Sequence, residues 1–320
     1  MKRFSILTIF LMFATISLVA QTGDWRRYRH ELVFGAGTAE FMGDLGGGKG
    51  VGTHFVKDFD IQAGRWAFML GYGYKLTDRF ALRTAIYYGR VFGNDEFTPE
   101  PARNGRNLSF RSPIIELSEV VEFSIIREKF GYRYNSKHAR KLKATPNLYI
   151  FAGIGGFYFN PKAQYLDGKW YSLQPLGTEG QGIVSTRPKY SRIQMSIPFG
   201  VGLNCMLTKS WGIGFDFGFR YTLTDYIDDV SSTYVDPDIF DDPIASYFSN
   251  PDSKYSVGAG EQRGDSNWND AYMFLTIKVT YKLFSSRRGR SKFSDNFKNI
   301  SDGSTLYPIW IGRILDHITL

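Results

Sequence analysis

Between Trp211 and Thr222 the chain reads WGIGFDFGFRYT, with Trp211, Ile213, Phe215, Phe217, Phe219 and Tyr221 at odd positions and Gly212, Gly214, Asp216, Gly218 and Arg220 between them. Successive side chains of a strand point to opposite faces, so this alternation predicts a β-strand with one aromatic face and one small or charged face. A water-soluble barrel would clothe its solvent side with Lys, Glu and Thr rather than with glycine. Reversing the faces explains both sets: aromatics point outward into lipid, while glycines and charges sit inside a narrow barrel where space is short and ions pair. About eight segments share the pattern, at roughly 31–41, 65–76, 79–91, 113–126, 147–159, 191–207, 211–221 and 271–284. Most reach the roughly 9–11 residues that a tilted strand needs to cross the hydrocarbon. The predicted fold class is all-β, a transmembrane antiparallel β-barrel of about eight strands of the outer-membrane type.

Charge sets the register. Turning Lys278 or Arg220 toward mid-bilayer lipid would cost about 2–4 kcal/mol each, so the charged face is the lumen. The lumen candidates are Arg83, Glu116, Glu122, Asp216, Arg220, Lys278 and Lys282. A barrel of about eight strands is just wide enough to be filled by side chains, which predicts a salt-bridged plug rather than a wide pore. The fourth segment fits less well: its apolar face, Ile115, Leu117, Val121, Phe123 and Ile125, also carries Glu119, which predicts a bulge or a protein contact there.

The connections alternate in length. Thr77-Asp78 and 208–210 are tight, whereas 42–64, 92–112, 160–190 and 222–270 are long and rich in Gly, Pro, Asn and Asp. Outer-membrane barrels have short periplasmic turns and long external loops. One connection breaks the rule: residues 127–146, REKFGYRYNSKHARKLKATP, should be periplasmic yet are long and strongly basic, as is the tail that begins SSRRGRSKF. Arg133, Lys137, Arg140, Lys141 and Lys143, with Arg287, Arg288 and Arg290, are therefore candidate contacts for an acidic periplasmic partner.

The chain opens with Lys2-Arg3 and the apolar run FSILTIFLMFATISLVA, the form of a secretory signal peptide ending at Ala20. The expected division is a signal peptide at 1–20, the barrel with its loops at 21–284, and a basic periplasmic tail at 285–320, with both mature termini periplasmic. A mean hydropathy of −0.25 excludes a helical membrane bundle but not a barrel, whose strands are half apolar. Aromatics at 17% and 34 glycines fit the strand pattern. Of the net charge of +8, Lys2 and Arg3 leave with the signal, and an exported chain is a poor nucleic-acid binder. Cys205, the lone cysteine, lies in an apolar alternation and reads as a small hydrophobe.

Catalytic and cofactor motifs fail on inspection. Residues Gly43 to Lys49, GDLGGGK, have phosphate-loop spacing, but Gly50 stands where the Mg²⁺-binding Ser or Thr is required and no strand–loop–helix unit surrounds it, so a flexible external loop is expected. GIGGF at 153–157 sits inside a strand, where glycine marks tight packing. His30, His54, His138 and His317 are scattered without ligand spacing, and His54 lacks a Ser partner or orienting acid for lipid-modifying chemistry. Asp225, Asp228, Asp229, Asp236, Asp238, Asp241 and Asp242 lack the ordered spacing of a calcium loop and read as a solvated acidic loop. No enzyme, cofactor, metal or small-molecule substrate is expected.

Five stretches carry a resemblance: RNLSFRS (106–112), YIFAGIGGFYFNPKAQY (149–165), WYSLQPLGTEGQG (170–182), SIPFGVGL (196–203) and FRYTLTDYIDDVSSTYVD (219–236). Over roughly 31–284 the chain resembles the DUF6089 family of outer-membrane β-barrels, which includes a component of the type IX secretion system. The family-motif residues are Gly177, Glu179, Gly180, Gly182, Asp225, Tyr226, Asp228 and Asp229. The resemblance implies a non-enzymatic barrel, embedded in outer-membrane lipid, that tethers a periplasmic ring of the PorK and PorN type. It offers no catalytic residues to carry over. The alternative is a surface-binding barrel whose long external loops hold a glycan or protein ligand.

Overall fold

The structure is a computed structural model and describes residues 24–45, 64–97, 105–128, 146–208, 210–251 and 258–283. The chain forms β1 (His30–Met42), β2 (Arg65–Lys75), β3 (Phe80–Asn94), β4 (Ser109–Ile126), β5 (Asn147–Phe159), a short hairpin of β6 (Lys162–Gln164) and β7 (Trp170–Ser172), then β8 (Ile193–Met206), β9 (Trp211–Thr222) and β10 (Ala271–Leu283). Two short helices, α1 (Leu173–Leu176) and α2 (Pro243–Ser249), lie in the connections. The eight long strands pair antiparallel in the order β3-β2-β1-β10-β9-β8-β5-β4, and β3 pairs with β4 to close the barrel. Closure leaves none of the eight long strands at an edge, the condition for a β-structure in lipid, where an unpaired backbone group has no water to turn to.

Parity divides the two faces. Phe34, Phe68, Leu70, Ile86, Leu117, Ile154, Phe199, Val201, Trp211, Phe215 and Ile277 are exposed on the outside, while Arg83, Glu116, Asp216, Arg220, Lys278 and Lys282 are buried inside. Aromatic residues cluster toward the two rims: Trp211 lies on Tyr281 at 4.7 Å near one, and Trp66 on Tyr88 at 5.5 Å near the other. His30 pairs with Leu283, so the first and last strands meet at the end that also holds the tight turns before Phe80 and Trp211. The connections that follow β1, β3, β5 and β9 start from the opposite end, while the one between β4 and β5 starts from the short-turn end.

Three features differ from the sequence reading. β4 begins at Ser109 rather than at 113, because Ser109 to Ser112 continue to pair with Asn94 to Val91 beyond the apolar band, where polar residues hide a strand from hydropathy. No bulge occurs at Glu119: its register with Thr84 and Ile154 is regular, and the irregularity in β4 falls between Ser124 and Ile126. The loop after β9 is only partly solvated. Asp236, Asp238, Asp241 and Asp242 are exposed, but Asp225, Asp228 and Asp229 are buried. The signal segment, most of GDLGGGK, and His54, His138 and His317 lie outside the described residues.

Glycine is needed where strands approach most closely. A Cβ on Gly153 would land on the Glu119 carbonyl oxygen of the neighbouring strand. Above the charged layers the lumen is filled by an apolar plug that includes Phe41, Phe110, Phe157, Phe159, Ile227 and Phe274. Aromatic bulk fills a narrow barrel with few residues.

Candidate functional site

The interior is built in layers. At the short-turn mouth Glu128 accepts from Lys75 at 3.0 Å and from Lys282. In the next layer Asp216 binds Arg83 and accepts the Tyr149 hydroxyl, and Lys278 Nζ lies 3.1 Å from its Oδ1. Glu122 completes that layer, with Oε1 2.9 Å from Arg83 Nε, an ion-pair separation without hydrogen-bond alignment. Above it Glu116 accepts from Tyr272 at 2.6 Å and from Arg220 Nε at 3.3 Å. The Arg220 guanidinium lies 4.6 Å from both the Tyr87 and Phe274 rings, which stack on one another at 4.9 Å. Cations Lys75, Arg83, Arg220, Lys278 and Lys282 face the carboxylates Glu31, Glu116, Glu122, Glu128 and Asp216, so these ten groups balance in charge. A buried charge is tolerated when paired and hydrogen-bonded, and a balanced set leaves no net field to draw an ion through.

At the long-loop end the family-motif residues converge on a second network. Gly177, Gly180 and Gly182 all adopt positive φ, at 66°, 80° and 80°, where a side chain would be strained. That tight path places Glu179 beneath the loop after β9. Glu179 accepts from the Ser231 amide at 3.0 Å, from the Ser232 hydroxyl at 2.6 Å and from Arg263 at 2.9 Å. Asp229, itself at φ 67°, accepts from the hydroxyls of Thr178 and Tyr190. The Tyr190 ring stacks between Phe159 at 6.0 Å and Tyr226 at 4.7 Å, which joins the cap to the apolar plug. Asp228 accepts the amides of Leu45 and Val230, and Asp270 accepts the amide of Ile227. Arg106 grips Asp95 with two bonds of 2.8 and 2.9 Å and reaches the Asp44 carbonyl at 2.8 Å.

Burial shifts the acids of this cap. Asp229 is pushed up to about 7 by burial, which outweighs Arg263 and the two hydroxyl donors. Asp225 is pushed up to about 9 by burial and by the neighbouring charge of Asp228. Burial also raises Asp228, helped by Asp44, and raises Asp270, helped by Asp228. The cap holds a partly open pocket of about 130 Å³ lined by, among others, Asn107, Asp228, Tyr247, Phe248 and Arg263. Among the described residues no three His, Cys, Asp or Glu side chains converge as metal ligands.

The seven residues assigned to the lumen from parity all lie inside the barrel, and the eight motif residues lie together in the cap. Sequence reasoning passed over Glu128, which sits two residues past the end of β4, and the tyrosines Tyr149 and Tyr272, whose hydroxyls tie the ion pairs together. It also passed over Arg263 and Arg106. A tyrosine on the inward parity beside a charge was the available signal for the first kind; nothing in the spacing marked the arginines. Arg133, Lys137, Arg140, Lys141, Lys143, Arg287, Arg288 and Arg290 lie outside the described residues.

A closed antiparallel barrel with an apolar exterior, aromatic rims and a lumen of paired charges defines a membrane-spanning β-barrel. Within that class, the chain belongs to the DUF6089 family, a domain of unknown function whose model matches residues 4–287. No curated protein matches it in sequence. Among solved structures it is similar to Neisserial surface protein A (9% identity, 79% of this chain and 97% of that chain, TM-score 0.36). It is similar also to Ail, the attachment invasion locus protein of Yersinia pestis (11%, 80% and 99%, TM-score 0.36), and to the E. coli outer membrane protein W (14%, 80% and 99%, TM-score 0.31).

Proposed function

We propose that the protein is a non-enzymatic outer-membrane barrel that anchors a periplasmic protein-secretion complex, in the manner of PorG in type IX secretion, with ring proteins of the PorK and PorN type as partners. The observation that carries this reading is the filled, charge-balanced lumen, which leaves the two ends of the barrel to do the work. In this reading the short-turn end is periplasmic, residues 1–20 are removed on export, and the basic connection and the tail at 285–320 meet acidic ring surfaces through Arg133, Lys137, Arg140, Lys141, Lys143, Arg287, Arg288 and Arg290. Changing these eight residues to Glu in the full-length chain should leave a barrel of normal heat-modifiable migration while crosslinked ring proteins are lost from it and secretion of other proteins falls. Unchanged capture and secretion would overturn the proposal.

A second reading is favoured by the cap, whose buried ion pairs and 130 Å³ pocket of mixed aromatic and polar character make it an ordered platform for an external ligand. Replacing residues 223–269 by a short turn separates the two. Ligand binding at the cell surface lost with the loop, secretion intact, supports the platform; surface binding unchanged, with ring capture and secretion intact, supports the anchor.

A further inference from the structure

Glu119 is the one acid on the outward face of β4, and the structure removes the bulge that would have turned it away from lipid. Its carboxylate accepts the hydroxyl of Thr84, the outward residue paired with it on β3. Thr84 lies four residues from Phe80 and four from Tyr88, which occupy opposite rims of the apolar band. At about 3.3 Å per residue and a tilt of about 40°, the pair sits about 10 Å from either rim, near mid-depth. Around Glu119 the outward residues Ile86, Leu117, Val121 and Ile154 are apolar and exposed, and Tyr72 pairs with Thr84 on its far side.

A groove adjoins the pair. It measures about 300 Å³ and is lined by Thr84, Leu117, Glu119, Ile154, Gly156 and Met195, among others. Gly156 deepens it: a Cβ there would meet nothing within 4 Å. At the same height the β5–β8 register runs to Ala152↔Phe199 and resumes at Gly155↔Ser196, with Pro198, which has no N–H, in the gap. An ordinary lipid-facing wall has neither a carboxylate nor a hollow at mid-depth. Lipid tails offer Glu119 no donor, and an ionisable group held in the hydrocarbon is kept there by use.

We infer that Glu119, Thr84 and the groove over Gly156 form an intramembrane docking site for a membrane-embedded segment of another protein that presents a lysine, arginine or amide donor at mid-depth. The volume admits one or two side chains. Charge complementarity selects this occupant over a second copy of the chain, because a two-fold contact centred here would set Glu119 against its own counterpart, and the outward residues around it supply no cation. The site lies on the barrel wall and does not depend on the periplasmic reading.

The test places p-benzoylphenylalanine at Gly156 of the full chain in native outer membranes, with the same group at Ile277 as the control. Irradiation should give a discrete protein adduct from 156 and none from 277, with the crosslink mapping to a membrane-spanning segment that carries a basic or amide side chain. Glu119→Leu should lower that adduct at least fivefold, while Glu119→Gln, which keeps an acceptor, retains at least half. Both variants should migrate as folded, heat-modifiable barrels. Lipid adducts alone, a dimer of this chain, or an adduct indifferent to Glu119→Leu would overturn the inference, as would failure of Glu119→Leu to fold, since the acid would then serve the barrel itself. Changing the eight basic residues should leave this adduct in place, so the two proposals fail separately.

Discussion

Asp216 is the keystone of the middle lumen layer, and Asp216→Ala exposes what that layer contributes. The side chain holds Arg83 and Lys278 and accepts the Tyr149 hydroxyl, and the two cations are only 1% and 3% exposed. Removing one partner of a buried ion pair typically costs about 3–5 kcal/mol, because the charge left behind has no solvent. Arg83 retains Glu122 at 2.9 Å, and Lys278 retains the Tyr149 hydroxyl and lies 4.6 Å from its ring centre. Those remaining contacts place the expected loss at the lower end, about 3 kcal/mol. Adding Lys278→Met removes the stranded cation and restores balance, so the double variant should recover about 2 kcal/mol of that loss. Urea unfolding of the barrel in phospholipid vesicles, followed by the fluorescence of the lipid-facing Trp66 and Trp211, measures both. A single variant within about 0.5 kcal/mol of the parent, or a double variant no more stable than the single, would refute the account of the lumen as a coupled ionic plug.

Gly153→Ala puts a methyl group against the Glu119 carbonyl and should block closure between β4 and β5, seen as loss of the heat-modifiable band in a refolding assay. Glu179→Ala strands Arg263 and frees the amides of Ser231 and Ser232, so the loop after β9 should be cleaved by proteinase K at least tenfold faster while the barrel core survives. The folded pKa values of Asp229, about 7, and Asp225, about 9, lie above the ordinary carboxyl value, so the folded cap binds protons more tightly than the unfolded chain. The stability these acids contribute is therefore fullest below about pH 4 and declines as pH rises from there through 7 to 9; amide protection factors in 222–232 should fall over that span, and a rise would contradict the burial of these acids.

Alternation alone determined a great deal here. Side chains of a strand divide strictly by parity and lipid accepts only one of the two sets, so Arg83, Glu116, Glu122, Asp216, Arg220, Lys278 and Lys282 could be assigned to the lumen one by one. Parity does not name partners. Arg83 meets Asp216 133 residues away, and Lys282 meets Glu128 154 residues away, because strand order around a closed barrel decides which lumen residues share a layer. The cap was further from reach. Asp225, Asp228 and Asp229 lie in a hydrophilic stretch that looks solvated, and only the packing of the GTEG turn beneath it, with Arg263 folded back from the far end of the same loop and Arg106 brought in from another, turns that stretch into a buried core. A run of polar residues carries no period, so burial there is written in tertiary contacts alone. Glu119 marks the boundary between the two kinds of information: its outward parity was plain in the sequence, and only the regular register around it established that it faces the membrane.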